Sequence, residues 1–380
     1  MSDQSKDLSV TKKWADLMVR PSNRANPSLD MRAYTDTFRA ILSSIAAIIF
    51  ALLIFGAFMA VHGLNSLSVF QTLYLGAFGT KFSWEGTLTQ SAPIMLTALC
   101  VVLPARVGLL VIGGEGALVL GGLAAVLASA ALNGVTPWFG TIGALAAGSV
   151  AGGLWIFLIG LLKHGRGVNE TIASLLLNYI AIAVFNHLVS GPIRDYSQTL
   201  KATSWPIPSE FLIGTIPGWS VHWGIVISIL TCLVLAFILR RTTFGFAMNI
   251  VGGNLRAAQA TGLPIGRIVI VACFAGGACA GLAGAIGDTA LHGAACEALF
   301  VGFCYTRILV AFLARQNPLG VIPVAIVLGG ISASGGVLQR RFGLPDATTL
   351  VLQGLIFLSV LASTNMNLVK SVLGWRRNGA

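Results

Sequence analysis

Long, uninterrupted runs of apolar residues constrain the fold of this chain more than any other feature. The run IAAIIFALLIFGAFMAV, residues 45–61, contains no charged side chain. A helix of about 20 apolar residues can cross the hydrocarbon layer of a membrane because it satisfies its backbone hydrogen bonds internally. Strands of a membrane β-barrel would instead alternate apolar and polar residues over short segments. The sequence therefore predicts an all-α, polytopic membrane protein.

The composition of the chain is that of a membrane protein rather than of a soluble one. Only 10% of the 380 residues are charged and 56% are hydrophobic, whereas a soluble domain has roughly 25% charged residues. The net charge of +11 does not indicate nucleic-acid binding, because the basic residues cluster in short loops and in the two tails without interleaved aromatics. That distribution is typical of membrane topology, in which lysine and arginine favour the cytoplasmic side.

Ten apolar segments predict about ten transmembrane helices within a single domain, residues 1–380. A further segment, residues 66–80, is semi-polar and too short to span, so we expect it to lie in the membrane interface or to re-enter. The ten segments cover residues 40–62, 88–105, 107–132, 137–162, 168–190, 221–239, 266–287, 298–313, 319–338 and 348–363.

The distribution of lysine and arginine predicts the orientation of these helices. With the N-terminus inside, most basic residues fall on the cytoplasmic side, and residues 1–38 form a cytoplasmic tail rather than a cleavable signal. The loop of residues 191–220 then lies outside, and its proline, tryptophan and mixed charge predict a folded cap. The pair Arg340-Arg341 disagrees with the rule. Either it lies on the outer face, or the last two spans are not both complete.

The inner loop, residues 240–266, is predicted to contain a short cytoplasmic helix. Its middle reads NLRAAQA, in which Asn254 can cap a run of helix-forming residues. Gly262 and Pro264 then end the helix.

Motifs for catalysis or metal binding do not occur in the sequence. It contains no GxxxxGK[ST] phosphate-binding loop, no Gly-rich dinucleotide turn after a strand and no HExxH, and its six cysteines lack metal-ligand spacing. We therefore predict no catalytic residue and no metal site in this chain. If its transport is driven by ATP, another chain must hydrolyse the ATP.

Glycine occurs inside several of the predicted spans. The pairs Gly148/Gly152 and Gly277/Gly281 each form a Gly-x-x-x-Gly element. Such elements let the backbones of two membrane helices approach closely, and we predict tight helix packing at both.

One charged residue, Glu115, lies inside the apolar stretch LLVIGGEGALVLGG, residues 109–122. The glycines beside it allow the backbone to leave the helical conformation, which is tolerated at membrane depth only against protein or a water-filled cavity. Two interpretations stay open for the carboxylate. It can line the path of a substrate, or it can form a structural ion pair or a hydrogen bond with freed backbone amides.

Three further residues near the middle of the 168–190 span are candidates for the substrate path. The amide of Asn178 can form hydrogen bonds with the polar edge of a solute, and the rings of Tyr179 and Phe185 can stack on a planar base or a sugar face. Hydrogen bonding between helices and core packing are the alternatives. The charge of Arg307, inside a short span, is expected either to reach the membrane surface or to pair with a buried carboxylate.

Four stretches together resemble the permease subunits of bacterial ABC importers for branched-chain amino acids, simple sugars and nucleosides. Residues 108–122 resemble the family signature Asn-Ile-Gly-x-Glu-Gly-Gln, with Val111 and Ala117 in place of its Asn and Gln. GVNETIASLLLNYIA, residues 167–181, is the most specific stretch and points to the nucleoside transporters. The remaining stretches are residues 243–267 with the glycine-rich helix that follows, and residues 317–336.

This resemblance implies an ABC importer permease architecture in the bacterial inner membrane, and a transport subunit rather than an enzyme. The partners would be an ABC ATP-binding subunit, an identical or homologous second permease subunit, and a periplasmic or lipoprotein substrate-binding protein. The chain itself would hold no cofactor, since ATP and magnesium belong to the partner ATPase. The inner loop would contain the coupling helix that docks on that ATPase, formed around Gly245, Gly252, Gly253, Asn254, Ala257, Ala258 and Gly262.

The implied substrate is a nucleoside or a related small polar solute delivered by the binding protein. A simple sugar such as ribose is the alternative within the same class. A stand-alone secondary transporter or channel is the alternative outside it, and it would need a relay of several paired charges, for which the sequence offers essentially Glu115 and Arg307.

Overall fold

The structure, a computed structural model, describes residues 46–197, 202–296, 303–345 and 347–364. The predicted cytoplasmic tail, residues 1–38, lies outside these ranges, as do four residues of the outer loop, 198–201. Within the described ranges the chain is helical, and its extended pairing is limited to three isolated β-bridges. The predicted all-α class is confirmed.

Contacts divide the chain into two units. Residues 50–359 form the larger unit, and residues 1–49 with 360–380 form the other. The described part of the second unit consists of the ends of two helices, residues 46–49 and 360–364. The fold and the site lie in the larger unit, and a single domain over residues 1–380 stays a prediction.

Each of the ten predicted spans corresponds to a helix. Seven of the described helices, α3, α4, α5, α6, α7, α10 and α12 as numbered below, are long and apolar enough to cross a membrane. In chain order the helices are α1 Ala46–Val61, α2 Ser66–Tyr74, α3 Lys81–Ala105, α4 Gly114–Ala131, α5 Pro137–Arg166, α6 Glu170–Ser190, α7 Gly224–Arg241, α8 Thr243–Gly253, α9 Leu255–Ala260, α10 Ile265–Gly287, α11 Phe303–Leu313, α12 Pro318–Phe342 and α13 Ala347–Thr364. One π-helical turn follows α2 over Leu75–Gly79, and another follows α10 over Asp288–His292.

Helices α3 and α10 form the centre of the larger unit. Helix α3 packs against α7, α10, α11 and α12, and α10 packs against α3, α4 and α5. The two Gly-x-x-x-Gly elements meet between α5 and α10, where a Cβ placed on Gly281 would lie 2.1 Å from the carbonyl oxygen of Gly148. The predicted tight packing is confirmed, because the backbones are too close for any side chain at this position.

Helices α3 and α12 each connect the outer loop side of the molecule with the inner loop side. Helix α3 begins at Lys81, whose ammonium donates to the carbonyl oxygen of Gly218 in the outer loop at 2.6 Å. Helix α12 starts beside Arg240 of the inner loop, and in its last turn Arg341 donates to the Thr72 hydroxyl of α2 at 3.0 Å. Arg340-Arg341 thus lies at the end of α12 opposite Arg240, and the choice between the two alternatives for this pair stays a prediction.

Candidate translocation and coupling site

A break in the helical backbone separates α3 from α4. Residues 107–113, called the helix break below, are not helical, and Gly108 within them has a φ of +81°. Val111 is fully buried and Gly113 is buried, so this part of the break faces protein. The predicted departure from regular helix occurs at Gly113, whereas Gly114 and Gly116 lie within α4, which begins just before Glu115.

Helix α6 supplies the hydrogen bonds that the broken backbone needs. The hydroxyl of Thr171 donates to the carbonyl oxygen of Leu110 at 3.2 Å, and that of Ser174 accepts from the amide of Ile112 at 3.2 Å. Backbone polar groups at membrane depth must find such partners, because no water competes for them there.

Asn178 of α6 makes the third of these hydrogen bonds. Its Oδ1 accepts from the amide of Gly116 at 2.6 Å, which satisfies one of the free N–H groups in the first turn of α4. Residues 171, 174 and 178 share one face of α6 because they are three and four positions apart. The sequence prediction included Asn178 but missed Thr171 and Ser174, although their helical spacing was a signal that could have found them.

Glycines let α6 approach the helix break and the start of α4. A Cβ on Gly113 would lie 1.9 Å from the carbonyl oxygen of Ser174, and one on Gly116 would lie 2.7 Å from the Cβ of Ala181. Neither position therefore has room for a side chain without moving the backbone of α6.

Glu115 forms an ion pair with Arg307 of α11. Glu115 Oε1 lies 2.7 Å from Arg307 Nη2, and the two side chains are 14% and 0% exposed. A Cβ on Gly114 would lie 3.3 Å from Arg307 Nη1, so this glycine also makes room for the guanidinium. The position of Glu115 in the first turn of α4 adds the favourable field of the helix N-terminus. Arg307 is thus the partner of a buried carboxylate, the second of its two predicted alternatives.

The other two predicted path residues lie on different faces of α6. Phe185 is fully buried on nearly the same face as Asn178, whereas the side chain of Tyr179 is 69% exposed. The structure therefore brings Glu115 and Asn178 together at the helix break and places Tyr179 away from it. Their contact with a substrate stays a prediction.

A cavity of about 230 Å³ lies beside the helix break. Its walls come from the end of α3, the break itself and the end of α11, including Ala105, Leu109 and Phe312. The break and the end of α11 therefore bound the same cavity.

The inner loop contains the predicted short helix. Helix α9 begins after Asn254, whose Oδ1 accepts from the amides of Arg256 and Ala257 at 3.0 and 3.2 Å. Gly262, with a φ of +70°, follows its end. The predicted cap and end are confirmed, and the sequence prediction missed α8, which precedes α9 in the same loop and is capped by Thr242.

The residues predicted for coupling divide into buried and exposed sets. A Cβ on Gly245 would lie 2.3 Å from the Leu239 carbonyl oxygen, and one on Gly252 would lie 2.1 Å from that of Arg106. Ala258 is buried, so all three serve packing within the chain. Of the three only Gly245 and Ala258 are buried; the exposed positions are Gly252, Gly253, Asn254, Ala257 and Gly262.

Comparison with known proteins identifies relatives along most of the chain. The family model described as "Branched-chain amino acid transport system / permease component" matches residues 83–361. The guanosine ABC transporter permease protein NupP of Bacillus subtilis is 31% identical over 90% of this chain and 98% of its own length.

Two further relatives have different printed substrates. The glucose ABC transporter permease protein TsgB13 of Haloferax volcanii is 25% identical over 92% of this chain and 95% of its own length. The nucleoside ABC transporter permease protein NupB of Lactococcus lactis is 23% identical over 84% of this chain and 90% of its own length.

Proposed function

This chain belongs to the family of branched-chain amino acid transport system permease components, and from that premise we propose that it forms the path for a nucleoside in an ATP-driven importer. The observation that carries the substrate class is the similarity to a guanosine permease over 90% of this chain. A simple sugar is the second candidate, favoured by the glucose permease that matches over 92% of it.

Family membership establishes the general role of the chain. It is a multi-pass membrane protein and a transport subunit rather than an enzyme. In ABC transporters of this kind a separate subunit hydrolyses ATP and a binding protein delivers the solute. ATP and magnesium are therefore expected on the ATPase and not in this chain.

The finer assignments belong to the same proposal. The protein lies in a bacterial inner membrane with its N-terminus in the cytoplasm. It pairs with a second permease subunit, identical or homologous, to enclose the path. The binding protein docks on the outer loop, residues 191–220, and the ATPase docks on α9.

The geometry of the helix break supports a path along α4 and α6. The break is the place where backbone and side-chain polar groups gather at membrane depth, with Asn178 and Glu115 at the start of α4. Intramembrane polar groups of this kind are by default candidates for solute contact. Transport then follows from different affinities for the solute in outward-facing and inward-facing states, which ATP binding and hydrolysis select in turn.

Uptake by membrane vesicles tests the proposal. Vesicles that contain this permease, its ATPase and its binding protein should take up labelled guanosine only with ATP inside. Under the same conditions they should take up less labelled glucose than labelled guanosine. The matched control is the same complex with an ATPase that binds but does not hydrolyse ATP. Uptake without ATP would contradict the importer, and uptake of glucose but not guanosine would contradict the substrate class.

A further inference from the structure

We infer that Arg106 is a positioning residue that ties the coupling segment, α8 and α9, to both sides of the helix break. The inference rests on the proposed docking of an ATPase on α9. It adds a specific connection by which movement of α9 reaches the membrane interior. Arg106 is the C-cap of α3, immediately before the break.

The guanidinium of Arg106 joins three segments that are far apart in the sequence. Its Nη1 donates to Oδ1 of Asn249 in α8 at 3.2 Å. Its Nε and Nη2 both donate to the carbonyl oxygen of Gln316 at 3.1 and 3.0 Å, at the turn that ends α11. A planar guanidinium can make this set of bonds because its donors form a rigid fork, which a lysine lacks.

The backbones at the same place are in direct contact. A Cβ on Gly252 would lie 2.1 Å from the carbonyl oxygen of Arg106 and 3.3 Å from the amide nitrogen of Gly108. The end of α8 therefore rests on the first residues of the helix break with no side chain between them. A displacement of α8 by an ångström must move the break or separate the two segments, since packed contacts do not deform continuously.

The Gln316 contacts extend this connection to the ion pair. Gln316 and Arg315 have φ values of +56° and +50°, so the turn after α11 has a specific conformation that L-residues adopt rarely. One end of α11 is thus held by Arg106, while Arg307 within the same helix is bound to Glu115 at the start of α4. Both ends of the helix break are connected to the coupling segment, one directly and the other through α11.

The guanidinium of Arg106 is partly buried and lies near a second cation, Arg240. Partial burial and the positive charge of Arg240 both lower the pKa of Arg106, with burial the larger cause. The guanidinium stays charged at neutral pH, and its acceptors are an amide and a carbonyl rather than a carboxylate. Asn249→Asp would therefore retain the acceptor and add a charge, whereas Asn249→Ala would remove the contact.

Reconstituted complexes of permease, ATPase and binding protein in lipid vesicles test this inference. We expect the Arg106→Ala complex to keep its ATPase bound and active. The amount of guanosine moved per ATP hydrolysed should fall by about fivefold or more, which is a usual size for coupling between two sites. Asn249→Ala should lower the guanosine moved per ATP hydrolysed by a smaller factor, and Asn249→Asp should leave this ratio unchanged. The matched control is Arg267→Ala, an exposed cation at the inner start of α10.

Hydrogen exchange gives a second readout that does not depend on the solute. When a non-hydrolysable ATP analogue is added to the wild-type complex, we expect exchange to change in the peptide of residues 107–116. In Arg106→Ala that change should fall about fivefold or more, while α9 stays protected by the ATPase. Unaltered responses of both the peptide and the transport ratio in Arg106→Ala would overturn the inference and leave the proposed function intact. Unprotected α9 in the wild-type complex would instead overturn the proposed docking and this inference with it.

Discussion

We expect Glu115→Gln to destabilise the chain by about 3–5 kcal/mol, because it leaves a fully buried guanidinium without its carboxylate. Arg307→Met should cost less, because the side chain of Glu115 is 14% exposed whereas the guanidinium is fully buried. The double variant Glu115→Gln/Arg307→Met removes both charges and should lie within about 1 kcal/mol of the wild type.

Thermal denaturation in lipid nanodiscs, followed by tryptophan fluorescence, measures these differences. We expect Glu115→Gln to lower the midpoint by about 5 °C and the double variant to restore most of it. The control is Glu210→Gln at an exposed position in the outer loop, which should change stability by less than about 0.5 kcal/mol. A double variant as unstable as Glu115→Gln would refute the ion-pair reasoning, because the cost would then not come from an uncompensated charge.

Uptake by the same variants separates the two interpretations of Glu115. A double variant that is stable but transports no guanosine would assign the carboxylate to the substrate path. Normal uptake by the stable double variant would assign it to structure alone. The comparison is informative because the variant removes the charge without leaving its partner buried and uncompensated.

Three further predictions concern the packing of α6 and of the inner loop. Asn178→Ala should destabilise the chain by about 1–2 kcal/mol in the same denaturation assay, because it removes the acceptor for an amide in the first turn of α4. Gly113→Ala should prevent accumulation of folded protein in the membrane, because its Cβ would lie 1.9 Å from a backbone oxygen. Gly214→Ala should not prevent it, because a Cβ at Gly214 would meet nothing within 4 Å. Ala257→Trp should abolish co-purification of the ATPase without lowering the denaturation midpoint, whereas the buried Ala258→Trp should lower the midpoint itself. Equal effects of the two tryptophan substitutions would contradict the division of α9 into exposed and buried positions.

The sequence predicted the helices because each depends on residues that are neighbours along the chain. The helices in the ten predicted segments, seven of which are long enough to cross a membrane in the described part of the chain, and the cap at Asn254 follow from local hydropathy and local hydrogen bonding. The glycines around Glu115 likewise predicted a break in the helix, since backbone freedom is a property of the residue itself. The inner-loop helix α8, Thr243–Gly253, was not among the predicted helices.

The partners of the break could not be predicted in the same way. Asn178 and Gly116 are 62 positions apart, and Arg106 and Gln316 are 210 positions apart. Local patterns contain no information on which of several polar residues will meet across such distances. Asn178 and Tyr179 were both candidates for the path, and only the rotation of α6 against α4 buried the first and exposed the second.

The sequence by itself determined that this chain crosses a membrane many times, that one span is broken at its glycines and that the inner loop contains the short helix α9. The tertiary structure decided that α6 satisfies the break, that Arg307 neutralises Glu115 and that Arg106 connects α8 with the end of α11. The physical reason is that burial and backbone conformation are set by each segment and its solvent. The pairing of buried polar groups is set instead by how the segments pack, because each such group must find its partner there.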